Sequence, residues 1–581
     1  TSKGGPRAAF SDETARLPDP RMTRISLFFA AALALGAWLT PNHYLPWLTF
    51  HGELMMAAAL ALAAAGEFAS RPPAPREALT PLMLLAAGLA VLPFVQFGFG
   101  LIRFAGEAWV SALYLVGFAL SMWLGQRLVA RLGAGVLAEG LAGLFLAASV
   151  LSVGLQLMQW QRLEGLGIFM VDMPPWGRPF ANFAQPNHLA TLLLMGLAGV
   201  LLLHERGRVG VVGTALAALL LLFGMAMTGS RTAWVAVAVL VAAVALARRR
   251  LALRSSLPLL AGLSLAFVAF VAAWAPMNEA LLLSGGRSLA NQAQVGPRPL
   301  FYATMLDAVS REPLFGYGWN QGLLAQQRVL DAHPPGGRLM GNSHNLMLDL
   351  MVWNGVPLAL AIVAALGAWS WRQLRAARDA TQGFLLAIVG GVFVHALFEY
   401  PLSYAYFLLP VGLAMGALDA LAPPRRTVAL PRPALAGVAA VALALLAWVT
   451  VEYAEVESNA RTLAFETARI GSVRIDSAAP ELHLLTQWRD YLRFARIEPT
   501  AAVDEAQLAW MARMAERFPY SASLLRLAKA QALSGHPDDA QRTLARLCLL
   551  HAGPRCRDAL RDWQRAARHE LPALAAVRLP G

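Results

Sequence analysis

Two polar segments stand where a loop enters an apolar run, and both carry residues that suit the binding of sugars or anions. The first, 182–190, contains Gln185 and Asn187, and side-chain amides offer the paired donors and acceptors that sugar hydroxyls require. The second, 228–234, places Arg231 between two apolar runs, where a guanidinium is costly unless it lines a polar cavity. Structural alternatives stay open, namely amides that cap helices and an interfacial arginine that reaches the lipid headgroups.

A long segment, 276–343, separates two apolar runs and leads into a histidine at the mouth of the next run. Loops of this length in compact proteins either serve a function or lack order, and the helical and glycine-turn stretches of this one favour order. The segment contains Arg298, and His344 and Asn345 follow it directly. A histidine in that place is a candidate general base or proton shuttle, because its ordinary pKa lies near neutral pH.

The fourth polar segment, 395–404, lies between two of the last apolar runs. His395 and Glu399 are four residues apart and share a helix face, and Tyr400 follows at the membrane interface, where a tyrosine of the aromatic belt is the structural alternative. The sequence contains no P-loop, no dinucleotide-binding glycine pattern and no metal-ligand cluster. Two arginines, a histidine, a tyrosine and amides therefore indicate a general base and an anionic leaving group, such as that of a phosphoryl-linked lipid.

These segments are positioned by apolar runs long enough to cross a membrane. Of 581 residues, 57% are hydrophobic and 14% charged, against roughly 25% charged residues in a soluble domain. The net charge of +13 is carried by arginines that flank apolar runs, which indicates membrane orientation and not nucleic-acid binding. We predict an all-α polytopic membrane protein with about 12–13 transmembrane helices. The predicted spans are 24–40, 53–69, 80–101, 108–125, 136–160, 188–203, 209–228, 231–247, 256–275, 344–370, 381–399, 401–420 and 433–452.

The distribution of arginine predicts the orientation of these spans. Alternate loops hold arginine clusters, as in 248–254 and 372–378, whereas the opposite short loops hold almost none. By the positive-inside rule the first set is cytoplasmic, so the four polar segments and the C-terminus face outward. We therefore expect a multi-pass protein of the bacterial inner membrane whose active site faces the periplasm.

The chain divides into five predicted parts. Residues before Met22 are polar and contain no methionine, so we expect Met22 to be the natural first residue and leave that segment out of the fold. In the tail, 520–541 resembles a tetratricopeptide hairpin, although a generic helical bundle fits equally well. Whether Cys548 and Cys556 of the tail form a disulfide stays open. The five parts are an N-terminal polar segment (1–21), transmembrane helices 1–9 (22–275), a large periplasmic loop with catalytic elements (276–343), transmembrane helices 10–13 (344–452) and a periplasmic helical domain (453–581).

The order of these motifs resembles the O-antigen ligase and polymerase superfamily, whose core is called the Wzy_C domain. The residues that carry this resemblance are Gly-Ser-Arg at 229–231, Pro-Leu-Phe-Gly-Tyr-Gly at 313–318 and Ser-His-Asn at 343–345. Two further segments look like the PglL-type O-linking oligosaccharyltransferases. One is 41–53, which contains His43 and Glu53, and the other is Gln-Pro-Asn at 185–187. The extra C-terminal domain also fits that branch.

The resemblance implies transfer of a preassembled oligosaccharide from undecaprenyl diphosphate to Ser or Thr of a periplasmic protein such as a type IV pilin. It implies membrane lipids, the lipid-linked donor and the acceptor protein as partners, and no cofactor or metal. By position, the catalytic residues are expected to be His344, Arg298, Arg231 and Tyr400. The residues expected to bind substrate are Gln185, Asn187, Asn345, Arg287, Arg311, His43 and Glu53, with Arg287 and Arg311 as rivals of Arg298 for the diphosphate.

In the expected mechanism His344 accepts the proton of the acceptor hydroxyl as that hydroxyl attacks the anomeric carbon. Arg231 and Arg298 stabilise the departing diphosphate without a metal, and the single displacement inverts the anomeric centre. Three alternatives stay open: a lipopolysaccharide O-antigen ligase, a Wzy-type O-antigen polymerase and a transporter of lipid-linked glycans. A transporter would carry polar groups through the membrane midplane and often internal repeats, neither of which the sequence suggests.

Overall fold

The computed structural model describes residues 20–69, 75–163, 165–174, 177–283, 296, 298–468 and 478–580, and within them the chain is almost entirely helical. Before the large loop the helices are α1 (Pro20–Leu39), α2 (Phe50–Ala69), α3 (Pro81–Leu89), α4 (Leu92–Gly98), α5 (Ala105–Leu132), α6 (Ala134–Trp160), α7 (Pro186–Glu205), α8 (Val211–Met227), α9 (Arg231–Ala247) and α10 (Leu257–Ala280). The loop contributes α11 (Arg298–Arg311) and α12 (Gly322–Arg328). After it come α13 (Leu346–Ala376), α14 (Ala380–Ala396), α15 (Ala405–Leu421) and α16 (Arg432–Ala468).

Each of the thirteen predicted spans coincides with an apolar helix of the described residues, with α3 and α4 together forming one span. Eight of these helical segments are long and apolar enough to cross a membrane, and five are shorter apolar helices. The prediction of an all-α polytopic membrane protein is therefore confirmed. Several predicted ends are wrong: α14 stops at Ala396 instead of 399, α5 continues to Leu132 instead of 125, and α13 continues to Ala376 instead of 370. Helix α16 continues to Ala468, past the predicted start of the C-terminal domain.

One end of the bundle is joined by an arginine–glutamate network of Glu67, Glu77, Arg127, Arg131 and Arg432. Arg131 Nη1 lies 2.9 Å from Glu67 Oε1, and Arg432 Nη1 lies 3.3 Å from Glu77 Oε1. Glu77 belongs to β1 (Arg76–Leu79), which pairs antiparallel with β2 (Val428–Pro431). Both carboxylates are buried, so the network fixes α2 and α5 to the start of α16.

At the other end of the bundle, the described part of the large loop packs into a kink in α13. The kink is at Gly355, whose φ of +77° suits glycine, and a Cβ there would lie 2.2 Å from the carbonyl oxygen of Leu314. Three backbone hydrogen bonds hold the loop against the kink, among them Tyr317 N–H to Val352 O at 2.8 Å. The helix and the loop therefore form one packed unit, and His344 lies at the junction between them.

The C-terminal domain contains α17 (Thr486–Ala495), α18 (Glu505–Arg517), α19 (Ser521–Leu533), α20 (Pro537–Leu550) and α21 (Pro554–His569). Helices α19 and α20 form a hairpin around Gly535, whose φ is +87°, but membership of the tetratricopeptide class stays a prediction. The two cysteines, whose oxidation the sequence left open, are joined in a disulfide with 4.8 Å between their Cα atoms. This disulfide links the end of α20 to the start of α21.

A seam between the C-terminal domain and the first turn of α5 joins the domain to the membrane helices. Gly106 N–H donates to Thr486 Oγ1 at 3.2 Å, and a Cβ at Gly106 would lie 1.9 Å from Gln487 Oε1. Arg517 forms an ion pair with the buried Glu107. The buried Glu452 of α16 accepts hydrogen bonds from three consecutive backbone N–H groups, 483–485, at 2.7–3.0 Å. The start of the domain is thus held from two sides.

Candidate active site

His344 stands between the large loop and α13 in a backbone conformation that few non-glycine residues adopt. Its φ is +62°, in the left-handed region where histidine is among the tolerated residues. The residues around it impose this conformation, because Ser343 N–H donates to the buried Asp349 Oδ1 at 2.6 Å and Asn345 Oδ1 caps α13 by accepting from Met347 N–H at 3.0 Å. Strain of this kind is tolerated where a side chain must be aimed.

Glu399 is the centre on which the candidate site residues converge. Its Oε1 accepts a hydrogen bond from Asn187 Nδ2 at 2.7 Å and forms an ion pair with Arg298, and its Oε2 lies 3.6 Å from His344 Nε2. The Glu399 side chain is 4% exposed, whereas those of Arg298 and His344 are each 24% exposed. The carboxylate therefore holds Arg298 in place and lies beside His344, and other molecules can still reach both side chains.

The surroundings of His344 make its imidazole a neutral base. Its Nδ1 lies 3.3 Å from the carbonyl oxygen of Asn342, and since a carbonyl can only accept, Nδ1 carries the proton and Nε2 the lone pair. Burial lowers the pKa of His344 below its ordinary value, and the charge of Glu399 opposes that shift only in part. Neutral imidazole therefore predominates at neutral pH, with its basic nitrogen directed toward Glu399.

Tyr400 packs edge-on against His344, with 4.9 Å between the ring centroids. Burial raises the pKa of Tyr400, and the neighbouring Glu399 raises it further. The phenol therefore stays protonated and can donate a hydrogen bond but cannot serve as a base. His188 lies beneath it, 6.1 Å between centroids and 1% exposed.

Arg231 approaches the group from the start of α9. Ser230 caps that helix by accepting from Ala233 N–H at 3.3 Å, which places the Arg231 side chain at the helix N-terminus. A Cβ at Gly296 would lie 3.3 Å from Arg231 Nη2, and Arg298 follows Gly296 by two residues. The structure thus brings the two predicted arginines to neighbouring positions, although 67 positions separate them in the sequence.

A cavity of about 620 Å³ runs along Glu399 and Tyr400. Leucine and phenylalanine side chains of α3, α5, α13 and α14 line one part of it, and Trp319, Asn320, Trp488 and Arg517 line another. Glu53 also lines the cavity. An apolar part that continues into polar and aromatic residues suits a molecule with a lipid tail and a polar head.

The structure does not bring all the predicted substrate residues together. Arg311 ends α11, pairs with Asp307 at 3.1 Å and lies about 20 Å from Arg298 by helix rise. Arg287 lies outside the described residues. Gln185 precedes α7, and its carbonyl accepts from His188 N–H at 3.1 Å.

The two predicted residues of the first outside segment lie apart from His344. Glu53 accepts hydrogen bonds from Ala405 N–H at 3.0 Å and from the Tyr114 hydroxyl, so it fastens α2 to α15 beside the cavity. His43 packs on Tyr44 with 4.1 Å between ring centroids. Asn345, in contrast, belongs to the group, because its Nδ2 donates to the carbonyl of Leu397 at 3.1 Å and so ties the His344 turn to the segment of Glu399.

Sequence reasoning missed the central position of Glu399. Its spacing suggested a shared helix face with His395, but α14 ends at Ala396, and His395 hydrogen-bonds Thr191 instead. Asp349 was missed as well. A buried acidic residue one turn into an apolar helix was the available signal.

Three family models match parts of the chain. Residues 179–204 match the family described as protein glycosylation ligase, 215–363 match O-antigen ligase, and 384–565 match the C-terminal part of a virulence factor membrane-bound polymerase. Over 545 residues, the chain is 30% identical to the general O-oligosaccharyltransferase of Acinetobacter baylyi, which covers 91% of this chain and 93% of that protein. It is 29% identical over 334 residues to the ComP-specific O-oligosaccharyltransferase of the same organism, covering 56% and 59% of the two chains. No solved structure matches the chain.

Proposed function

Because the chain belongs to the family of O-oligosaccharyltransferases, we propose that its donor is an oligosaccharide on undecaprenyl diphosphate and its acceptor a Ser or Thr of a periplasmic protein, such as a type IV pilin. The activity itself, O-linked glycosylation of protein by a glycosyltransferase, follows from the family. The donor lipid, the acceptor and the residue roles are the proposal.

The observation that carries the proposal is the distance of 3.6 Å between His344 Nε2 and Glu399 Oε2. In neutral His344 the lone pair of Nε2 can accept the proton of a hydroxyl, and the protonated nitrogen then lies beside a carboxylate. The acceptor hydroxyl gives this proton to Nε2 as its oxygen bonds to the anomeric carbon. Glu399 then stabilises the imidazolium, as a carboxylate does for a catalytic histidine elsewhere.

The electrons of the breaking bond leave with the diphosphate. The bond between the anomeric carbon and the diphosphate oxygen breaks as the new bond forms on the opposite face, so the product has inverted configuration. Arg298 and Arg231 stabilise the negative charge on the leaving oxygen, since guanidinium groups bind phosphate oxygens in bidentate fashion. Two such groups supply the charge that a metal supplies in other transferases, and Tyr400 can add a hydrogen bond.

The cavity supports a lipid-linked donor. Its apolar part passes between α3, α5 and α13, where a prenyl chain would replace water and membrane lipid, while its polar part lies beside Glu399. Because the prenyl chain comes from the bilayer, whose lipid tails are equally apolar, it binds there through van der Waals packing and not through removal from water. We further propose that this end of the bundle faces the periplasm, because the arginine-rich loops lie at the other end.

The direct test is transfer by purified protein in nanodiscs, with an undecaprenyl-diphosphate-linked glycan as donor and a Ser-containing acceptor protein, read by intact mass. His344→Ala should lower the rate by roughly 10²–10⁴-fold. His333→Ala is the matched control, because His333 also lies near the end of the loop but pairs with Asp307 at 3.0 Å, and it should retain most activity. Full activity of His344→Ala would refute the proposed base.

A deletion strain separates the proposed acceptor from the alternatives. Loss of glycan from a periplasmic protein with unchanged lipopolysaccharide banding supports protein glycosylation. Loss of O-antigen banding instead would support the O-antigen ligase, which the match at 215–363 keeps as the second candidate.

A further inference from the structure

The polar part of the cavity is built from two parts of the chain that are distant in sequence. Trp319 and Asn320 come from the large loop, and Trp488 and Arg517 come from the C-terminal domain. We call these four residues the aromatic mouth. They line the same cavity as Glu399 and Tyr400, whereas His344, Arg298 and Arg231 do not line it. A molecule that fills the cavity therefore contacts the four residues and also the two neighbours of His344.

Trp319 is fixed before any substrate arrives. Its backbone N–H donates to Gln96 Oε1 at 2.9 Å, and the Gln96 amide in turn donates to the carbonyl of Trp353 at 3.0 Å. Its indole packs on Trp353 with 5.5 Å between ring centroids. The next residue, Asn320, has φ +61° and an exposed side chain, so an aromatic surface and an amide stand side by side without a flexible linker.

The opposite wall is equally fixed. Trp488 lies in the first turn of α17, which Glu452 and the first turn of α5 hold in place, and it packs on Phe518 at 5.4 Å between centroids. Arg517 packs over Phe518 at 4.9 Å and pairs with Glu107. Both Trp488 and Arg517 remain partly exposed.

We propose that the aromatic mouth binds the oligosaccharide of the donor, beyond the sugar that reacts. Indole faces are electron-rich and suit the C–H groups on one face of a pyranose, while Asn320 can both donate to and accept from hydroxyls. The inference rests on the proposed function and deepens it, because it assigns recognition of the glycan to residues that take no part in bond making.

The position of the mouth favours glycan over acceptor peptide. The lipid of the donor occupies the apolar part of the cavity in the proposed function, and its diphosphate lies beside the arginines. The remaining sugars of the same molecule then extend into the polar part of the cavity, which Trp319 and Trp488 line. A pre-formed, rigid surface also costs less entropy when a flexible glycan binds.

The test uses full-length protein and two donors on the same lipid, one with a single sugar and one with the complete oligosaccharide. For Trp319→Ala and Trp488→Ala, we expect KM for the oligosaccharide donor to rise about tenfold, with kcat and the KM for the single-sugar donor unchanged. Trp319→Phe and Trp488→Phe, which keep an aromatic face, should recover most of the affinity. Trp510→Ala is the matched control, because Trp510 is a half-buried tryptophan of the same domain that packs under Arg493 and does not line the cavity.

Each other outcome overturns the inference in a recognisable way. Equal losses with both donors would assign the tryptophans to folding or chemistry, and a changed KM for the acceptor with an unchanged donor KM would assign the mouth to the acceptor peptide. A wild-type protein that transfers neither donor would instead refute the proposed function, whatever the tryptophan variants do.

Discussion

Two groups of arginine and glutamate stand at opposite ends of this helix bundle, and only one of them is arranged for chemistry. In the arginine–glutamate network, carboxylates and guanidinium groups face one another between helices and a two-stranded sheet. In the candidate active site, one carboxylate, Glu399, is shared by an amide, an arginine and a histidine beside a cavity. Residue type alone therefore does not mark a site.

The two groups differ in the side chains that surround each carboxylate and in how exposed those side chains are. Glu67 has a fully buried side chain with Arg127 and Arg131 as ion-pair partners, so its charge serves to hold helices together. Glu399 lies 3.6 Å from Nε2 of a neutral histidine, so it can stabilise the imidazolium that forms when the histidine accepts a proton, and both His344 and Arg298 are partly exposed. A buried charge becomes useful when a reactant can enter its surroundings.

The substitutions Glu399→Gln and Glu67→Gln should show the largest difference between the two groups, one in transfer rate and the other in stability. We expect Glu399→Gln to lower transfer roughly 10²-fold, because a preorganised charge next to the reacting proton is lost, with a small change in melting temperature. Glu67→Gln should leave the turnover of folded protein close to wild type but cost up to about 3 kcal/mol of stability. Transfer rates and melting curves of both variants in one detergent decide the matter, and the opposite pattern would reverse the two roles.

A second effect should come from replacing the arginines without removing their charge. Arg298→Lys and Arg231→Lys keep a cation but lose the planar fork that binds diphosphate, so each should lower kcat by roughly 10–10²-fold. Arg311→Lys is the matched control from the far end of α11 and should have no effect. Wild-type rates in both test variants would remove the arginines from the charge-stabilising role.

A third, smaller effect concerns pH. Burial lowers the pKa of His344, and only the neutral form accepts a proton, so kcat should be constant at neutral pH and fall on acidification below about 6.5, the ordinary histidine pKa. Because Glu399 raises the pKa of His344, the residual rate of Glu399→Gln should fall only at still lower pH. A pH–rate profile of His344→Gln should lack this limb, and its persistence there would assign the base to another group.

The smallest effect on transfer should come from the disulfide. Cys548 and Cys556 are eight residues apart, and closing a loop of that size stabilises by about 2–3 kcal/mol in the chain-entropy description. Cys548→Ser with Cys556→Ser should therefore lower the melting temperature of the C-terminal domain, with transfer at 25 °C nearly unchanged. A melting curve that reductant does not shift in the wild type would contradict this expectation.

The fold was largely predictable from sequence because the membrane imposes one strong rule. A run of apolar residues that crosses hydrocarbon must be helical, so composition and run length sufficed for every span, from α1 to α16. The ends were harder: α14 stops at Ala396, before a polar segment that departs from the helix path, whereas α16 keeps its helix after the apolar run ends because its polar continuation packs on the C-terminal domain.

The candidate site was predictable in part. The sequence singles out His344, Arg298, Arg231, Tyr400, Asn187 and Asn345 because polar residues at the mouths of apolar runs are unusual, and three of them, Asn187, Arg298 and His344, lie against Glu399 in the structure. The position of Glu399 was not predictable, because its partners lie 101 and 212 positions away in sequence and no local pattern encodes such distances. The pair of Arg311 with Asp307, four residues before it on a helix, is in contrast a local pattern that the sequence shows.

The seam between the first turn of α5 and the C-terminal domain bears on how this protein can be altered by recombination. A side chain at position 106 would collide with Gln487, and Glu107 is matched to Arg517. A C-terminal domain taken from a relative would therefore meet an ill-fitting surface unless the short segment 103–107 at the start of α5 were exchanged with it. Chimeras made at the apparent domain boundary should fail where chimeras with two crossover points succeed, so these two distant stretches are expected to be inherited together.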